Sequence, residues 1–306
     1  MATEKQIAVS GLKKLVDTPY YQQQFKNALG ANAGTFATSI MEVVTSDDKL
    51  LSCSAASLMQ EAVKAASLKL PINKQLGYAY LVPFNNKDKV TGQYKMTPTL
   101  VIGYKGYLQL AIRSGQYREI NAGIVYEGEM IGQNKLTGLI DLTGNRISDK
   151  IEGYFAYFEL LNGFRKTLYM PLDEMIKYAL RFSPTLRGKY APSEDALKDI
   201  AQSQASNGSG NGVGWQADFN AMAQKTVLRR LLGKYGYLSI EMQTAYAQEV
   251  QAESAARETR DEANNATMQE RDIRDADAEE VTTTRVAPEH VQPQSDTRTE
   301  HEASPI

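Results

Sequence analysis

The stretch that decides the fold runs from Gly77 to Gly115, GYAYLVPFNNKDKVTGQYKMTPTLVIGYKGYLQLAIRSG. Gly77 to Phe84 and Thr97 to Tyr104 are rich in aromatic and β-branched side chains, as strands are. Between them the charged segment Asn85 to Met96 holds Gly92 as a turn signal, so the pair reads as a hairpin. The pattern then becomes helical from about Lys105 to Ser114, with Leu108, Leu110, Ala111 and Ile112 apolar and Gly115 where helices commonly end.

On the N-terminal side, residues 10 to 70 read as helical. One helix is predicted over Gly11 to Leu29 and another over Ser54 to Leu70, where Ala55, Leu58, Met59, Ala62, Val63 and Ala66 form a stripe and Pro71 brings the stop. On the C-terminal side, Glu119 to Glu127, Lys150 to Leu161 and Phe164 to Met170 read as strands, the last two joined by a tight turn at Asn162-Gly163. Asp173 is expected to cap a helix through Phe182. A glycine-rich loop from Ser206 to Gly214 precedes a helix over about Asp218 to Leu232 and another from about Ser239. The class is α+β: an antiparallel sheet packed with helices, an N-terminal helical region and a disordered acidic tail. The expected division is residues 1–70, a helical region offering subunit contacts; 71–245, the functional core; and 246–306, a helical extension and tail.

The formal charge of −2 conceals two halves of opposite sign. Residues 1–245 carry 28 Lys and Arg against 21 Asp and Glu, a net +7, whereas residues 246–306 carry 6 Arg against 15 acids, a net −9. A basic body with an acidic tail fits a polyanion-binding domain. Beyond about Asn264 the chain is polar and proline-containing, which predicts disorder. The single cysteine, Cys53, excludes an internal disulfide and is expected buried within a helix. No apolar run approaches the roughly 20 residues needed to span a bilayer. The opening MATEKQIAVSGLKKL lacks the apolar block of a secretory signal, so a cytoplasmic location with no membrane partner is expected.

Cations and rings recur through the deciding stretch, Lys87, Tyr104, Lys105, Tyr107 and Arg113 among them. Lysines and arginines neutralise phosphates, and rings stack on bases. Tyrosines alternating on strands are equally good packing residues, so composition alone leaves nucleic-acid binding open. On the helix from Asp218, Phe219, Met222, Ala223, Val227 and Leu231 share an apolar face, with Lys225 and Arg229 four apart at its edge. Such a like-charged pair is relieved by an anion between its members, although a helix dipole also favours cations near the C-terminus. Arg230 lies about 100° further round and can anchor the helix to the sheet, and Lys234 adds charge at the helix end. Trp215, the only tryptophan, is either a stacking ring or a core anchor.

The only histidines are His290 and His301, both in the tail, which weakens most hydrolase mechanisms. No G-x-x-x-x-G-K-[ST] loop is present, so ATP is not expected as a cofactor. Glu127, Glu129 and Asp141 are loosely spaced carboxylates that would have to gather to hold Mg²⁺.

Three strings, QLGYAYLVPFNNK at 75–87, LVIGYKGYLQLAIRSG at 100–115 and WQADFNAMAQKTVLRRL at 215–231, together resemble the RecT branch of the phage single-strand annealing proteins. The resemblance covers about residues 10 to 250 and does not extend to the tail. It implies an ATP-independent recombinase, encoded by a phage or prophage in a bacterial host, that coats single-stranded DNA and anneals complementary strands. It also implies a homo-oligomer, ring or helical filament, working beside a 5′ to 3′ exonuclease and meeting the host single-stranded-DNA-binding protein. On this sequence it points to Tyr104, Lys105 and Arg113, and to Lys225, Arg229 and Arg230, as DNA contacts. No cofactor is implied; Mg²⁺ would enter only through DNA. The expected site is one groove between the sheet with its GYKG helix and the helix bearing Lys225 and Arg229. The alternatives are a metal-dependent nuclease using Glu127, Glu129 and Asp141, and a passive DNA-coating protein.

Overall fold

A computed structural model describes residues 4–87, 92–186, 191–207, 214–237 and 239–247, all within one compact unit, Met1–Thr259. Pro19 divides the predicted Gly11 to Leu29 helix into α1 (Glu4–Val16) and α2 (Pro19–Leu29). Proline has no amide hydrogen to donate and is accommodated in a first turn, where that donor has no intrahelical partner anyway. A short 3-10 turn, Gly30–Asn32, leads to α3 (Ala33–Thr45), α4 (Asp48–Leu51) and α5 (Ala55–Ser67). Asp47 caps α4 by accepting from the amides of Lys49 and Leu50, and Ser54 caps α5 through the amide of Ser57. Cys53 is buried as expected, but it sits between these two helices rather than inside one.

The predicted stripe on α5 is its buried face: Leu58, Met59, Ala62 and Ala66 are buried along with Ala65, while Ala55 and Val63 are half-buried. The helix stops before Pro71. Lys69 adopts the left-handed conformation, φ 54°, and the amides of Lys69 and Leu70 turn back to the carbonyls of Ala66 and Ala65 at 2.9 and 3.1 Å, closing the helix in a Schellman motif.

β1 (Ala79–Lys87) and β2 (Tyr94–Ile102) form the predicted antiparallel hairpin, with Pro83 opposite Pro98. The amide of Leu100 points away from β1 and donates to Glu61 Oε2 of α5 at 2.8 Å. Two residues earlier, on the same outward side, Pro98 has no amide to leave unsatisfied. Then α6 (Tyr104–Arg113) follows directly.

The remaining strands do not join that hairpin. They form a separate meander of β3 (Tyr117–Tyr126), β6 (Ile151–Leu160) and β7 (Arg165–Pro171) in the order β3-β6-β7, with a two-residue pairing of β4 (Gly132–Gln133) and β5 (Ile140–Asp141) in the β3–β6 connection. The expected single sheet is therefore three. The Asn162-Gly163 turn is present: Gly163 has φ 84°, its amide reaches the carbonyl of Leu160 at 2.9 Å, and the amide of Leu160 reaches that of Phe164 at 2.8 Å.

Register sets Ile124, Tyr154 and Met170 in one row, Ala122, Ala156 and Leu168 in the next, and Ile120, Phe158 and Lys166 in the third. This face is covered by α9 (Phe219–Tyr235): the Tyr154 hydroxyl donates to Asn220 Oδ1 at 2.6 Å, and Asn220 Nδ2 donates to the carbonyl of Ala201 at 3.1 Å. Ala201 belongs to α8 (Glu194–Asn207), which packs with α7 (Leu172–Phe182). Pro171, not Asp173, stands at the start of α7; the Asp173 carboxylate instead pairs with Lys198 of α8 at 3.0 Å. Asp218 caps α9 by accepting from the amide of Ala221. Residues 240–247 form the last described helix, which lies so close to α9 that a side chain at Gly233 would collide with the Tyr246 ring. One core runs from Leu12 of α1 to Ala245. The acidic tail lies outside the described residues.

Candidate nucleic-acid interface

The G-Y-K-G turn at the start of α6 is built by close backbone approach. The amide of Gly103 donates to the carbonyl of Tyr78 at 2.9 Å, and a Cβ at 103 or 106 would collide with the carbonyls of Gly77 and Tyr78 respectively. Only glycine fits where one backbone lies on another. The consequence is positional: Tyr104 is half-buried with its hydroxyl bonded to the backbone of Ala122 on β3, while Lys105 is exposed, its aliphatic stem near Gly77. Burial raises the Tyr104 hydroxyl above its ordinary pKa, the bond to Ala122 opposing that shift.

Two expectations for this element need correction. Tyr107 is 2% exposed and belongs to the core, because position 107 faces inward on a helix whose buried side is Gly106, Tyr107, Leu110 and Ala111. Its ring is not available for stacking on a base. Arg113 is exposed but occupied: Nη2 donates to the carbonyl of Leu68 at 2.6 Å and Nη1 to that of Lys69 at 3.4 Å. It therefore closes the C-terminus of α5, with partial burial lowering the guanidinium's pKa. Lys87 ends β1, and its side chain lies outside the described residues.

On α9 the expected edge of free cations is partly interior. Arg229 is 5% exposed, its guanidinium 3.3 Å from the Tyr178 hydroxyl and 5.4 Å from the Tyr246 ring centroid. A buried arginine stacked between elements is a packing residue, so its assignment as a phosphate contact is corrected. Trp215 resolves to the core anchor: it is 4% exposed and meets Phe219 edge-on at 5.0 Å. Lys225 is half-buried. Arg230 does anchor α9 to the sheet, with Nη1 3.0 Å from Met170 Sδ of β7 and the guanidinium 5.3 Å from the Tyr178 ring.

Arg230 also lines a cleft of about 360 Å³ at the β7 edge, shared with Lys135, Lys166, Lys234, Tyr169 and Tyr235. Sequence reasoning missed Lys135, Lys166 and Tyr235. A signal was present, since Lys166 sits at an inward position of the β7 alternation, between the inward Leu168 and the turn, where a core residue is expected. α6, which carries Lys105, packs against α9 as the expected groove requires, and the cleft is a second basic place beside it. Lys105 stands on the element packed against β3, one outer strand, and the cleft lies along β7, the other.

The three carboxylates of the nuclease alternative are each held in loop structure. Glu127 accepts from Ser148 Oγ at 2.7 Å and pairs with Lys150, Glu129 accepts from the amide of Tyr126 at 2.8 Å, and Asp141 accepts from the amide and hydroxyl of Thr143. Among the described residues no group of three or more His, Cys, Asp or Glu is placed to hold a metal ion, and no helix is long and apolar enough to cross a membrane.

The chain is 38% identical over 239 residues to "Uncharacterized protein YqaK" of Bacillus subtilis (strain 168), covering 78% of this chain and 72% of that one. It is 28% identical over 244 residues to "Protein RecT" of Escherichia coli (strain K12), covering 77% and 79% respectively. The RecT family model matches residues 34–267, taking in the G-Y-K-G turn, the β3-β6-β7 sheet and α9. The chain belongs to the RecT family.

Proposed function

We propose that this chain, a RecT-family DNA recombination protein, binds single-stranded DNA without ATP and anneals it to a complementary strand as a homo-oligomer. The observation that carries the reading is the G-Y-K-G turn, in which two backbone-tight glycines hold Lys105 outside the fold on a chain of this family. Annealing needs no covalent step. Two strands repel through their phosphates, and cations that neutralise one backbone while leaving base edges open lower the barrier to pairing. Complementarity then selects the product. A stable duplex is longer than the stretch one subunit covers, so adjacent subunits multiply the effect. A 5′ to 3′ exonuclease supplying the strand and the host single-stranded-DNA-binding protein are the partners expected of such an activity.

The test is to mix the full chain with an end-labelled single strand in Mg²⁺, without nucleotide, and follow both retention and strand length. Retention that weakens with salt, with strands intact, supports the reading. Shortened strands would favour the nuclease instead.

A further inference from the structure

The cleft at the β7 edge is more than a gap between elements. Among the described residues no Asp or Glu lines it, and none of Lys135, Lys166, Arg230 or Lys234 forms a salt bridge. Several cations elsewhere are compensated by a carboxylate: Lys74 pairs with Asp47, Arg118 with Glu159, Lys150 with Glu127 and Lys198 with Asp173. Tyr235 gathers two of the uncompensated cations. The ammoniums of Lys166 and Lys234 lie 5.3 and 5.0 Å from its ring centroid and so at most about 10 Å from each other. That separation is within about one Debye length at 0.1 M salt, so the two charges repel unless an anion joins them.

The walls of the cleft are ordered. Lys166 Nζ donates to the carbonyl of Thr137 at 2.6 Å, and an ammonium carries two further donors beyond that one. The loop supplying Thr137 is closed on itself, with Asn134 Oδ1 accepting from the amides of Leu136 and Thr137 and the amide of Gly138 reaching the carbonyl of Asn134 at 2.8 Å. Opposite, the register of β7 turns the amides of Thr167 and Tyr169 toward the open edge of the sheet.

We propose that this cleft is a second phosphodiester site, separate from Lys105, taking the sugar–phosphate backbone of a nucleic-acid strand with Lys166 and Lys234 as its principal contacts. The inference rests on the nucleic-acid reading above. Four uncompensated cations beside outward main-chain amides match a ligand that presents phosphates repeatedly along its length and makes no demand on sequence. An acidic polypeptide is the competing occupant.

The full chain is titrated with a labelled single strand of about 40 nucleotides over a range of salt, then compared with the Lys166→Gln, Lys234→Gln double variant, for which the salt slope should fall by about 1.4, or about 0.7 for each phosphate no longer neutralised. The Lys166→Arg, Lys234→Arg pair should restore it. Lys135→Gln, in an exposed loop, gives an independent reading of about 0.7 should the double variant unfold. Binding by the unaltered chain with no change of slope in any Gln variant overturns the cleft while leaving the single-strand reading intact. No binding by the unaltered chain overturns both. If the Gln variants keep their DNA slope but lose capture of polyglutamate, the occupant is an acidic polypeptide and the nucleic-acid assignment is wrong.

Discussion

Arg113 Nη2 donates to the carbonyl of Leu68 at 2.6 Å, so the last turn of α6 closes the last turn of α5. The carboxylate of Glu241, in the last described helix, lies within electrostatic reach of both Arg113 and Lys69, and its pKa is held low by hydrogen bonds to its own backbone and Ser239 as well as by those cations. Lys69 stands in the left-handed conformation that a side chain resists. Lys69→Gly should therefore stabilise the fold by roughly 0.5–1 kcal/mol, the left-handed strain relieved being larger than the entropy glycine adds to the unfolded chain. Arg113→Ala should cost about 1 kcal/mol. Urea unfolding midpoints measure both, and a lower midpoint for Lys69→Gly would contradict the strain.

Glycine-to-alanine changes should separate by position. At Gly103 and Gly106 the new methyl meets a carbonyl oxygen, and overpacking of this kind costs about 1–3 kcal/mol or more. At Gly11 of α1 nothing lies within 4 Å of the added Cβ, so alanine should gain about 0.5–1 kcal/mol from helix propensity. Thermal melts of the three single variants decide the matter; equal shifts at all three positions would mean that the G-Y-K-G turn does not depend on close backbone approach.

Lys105 and Arg229 should behave oppositely although both are basic. Lys105→Ala should leave stability within about 0.5 kcal/mol, being exposed, and should lower the salt slope of single-strand binding by about 0.7. Arg229→Ala empties a packed position and should cost about 2–4 kcal/mol of stability. Unfolding and binding curves on the same preparations test this. A stable Arg229→Ala protein with impaired DNA binding would return Arg229 to the interface.

Tyr117 gives the alkaline limb of stability. Its hydroxyl reaches the carbonyl of Tyr237 at 3.0 Å, and burial pushes its pKa from 10.0 up to about 12. The folded state therefore holds this proton more tightly than the unfolded chain does, and the stability it contributes is complete below pH 10 and lost as pH rises to about 12. Burial pushes Tyr154 in the same direction. Denaturation midpoints should fall across that window, and less steeply in Tyr117→Phe; parallel curves would mean that Tyr117 titrates normally.

Much of the fold is legible because short-range physics sets it. Alternation and Gly92 mark the β1–β2 hairpin, Asn162-Gly163 marks the β6–β7 turn, and the α5 stripe is the buried face. What was not legible depends on contacts distant in sequence. Nothing near Arg113 announces that α5 ends beside it, and nothing near Arg229 announces that Tyr178 and Tyr246 will enclose it. Helical spacing places a residue on a face but does not say which elements cover that face, so Tyr107 reads as a ring available to DNA when it is core, and Trp215, in the turn before α9, stays open between stacking and the core that holds it. Lys135 and Lys166, 31 positions apart, meet only because the β4–β5 connection folds back on β7.

An annealing protein differs from a coat or a nuclease in bringing complementary strands together rather than merely covering or cutting them. The decisive quantity is the annealing rate of two complementary labelled strands of about 80 nucleotides, without ATP, with and without the full chain. Strand length is checked afterwards. Acceleration is expected with the strands intact, diminished in Lys105→Ala. Binding with the rate left at its spontaneous value, or shortened strands, would contradict annealing as the function.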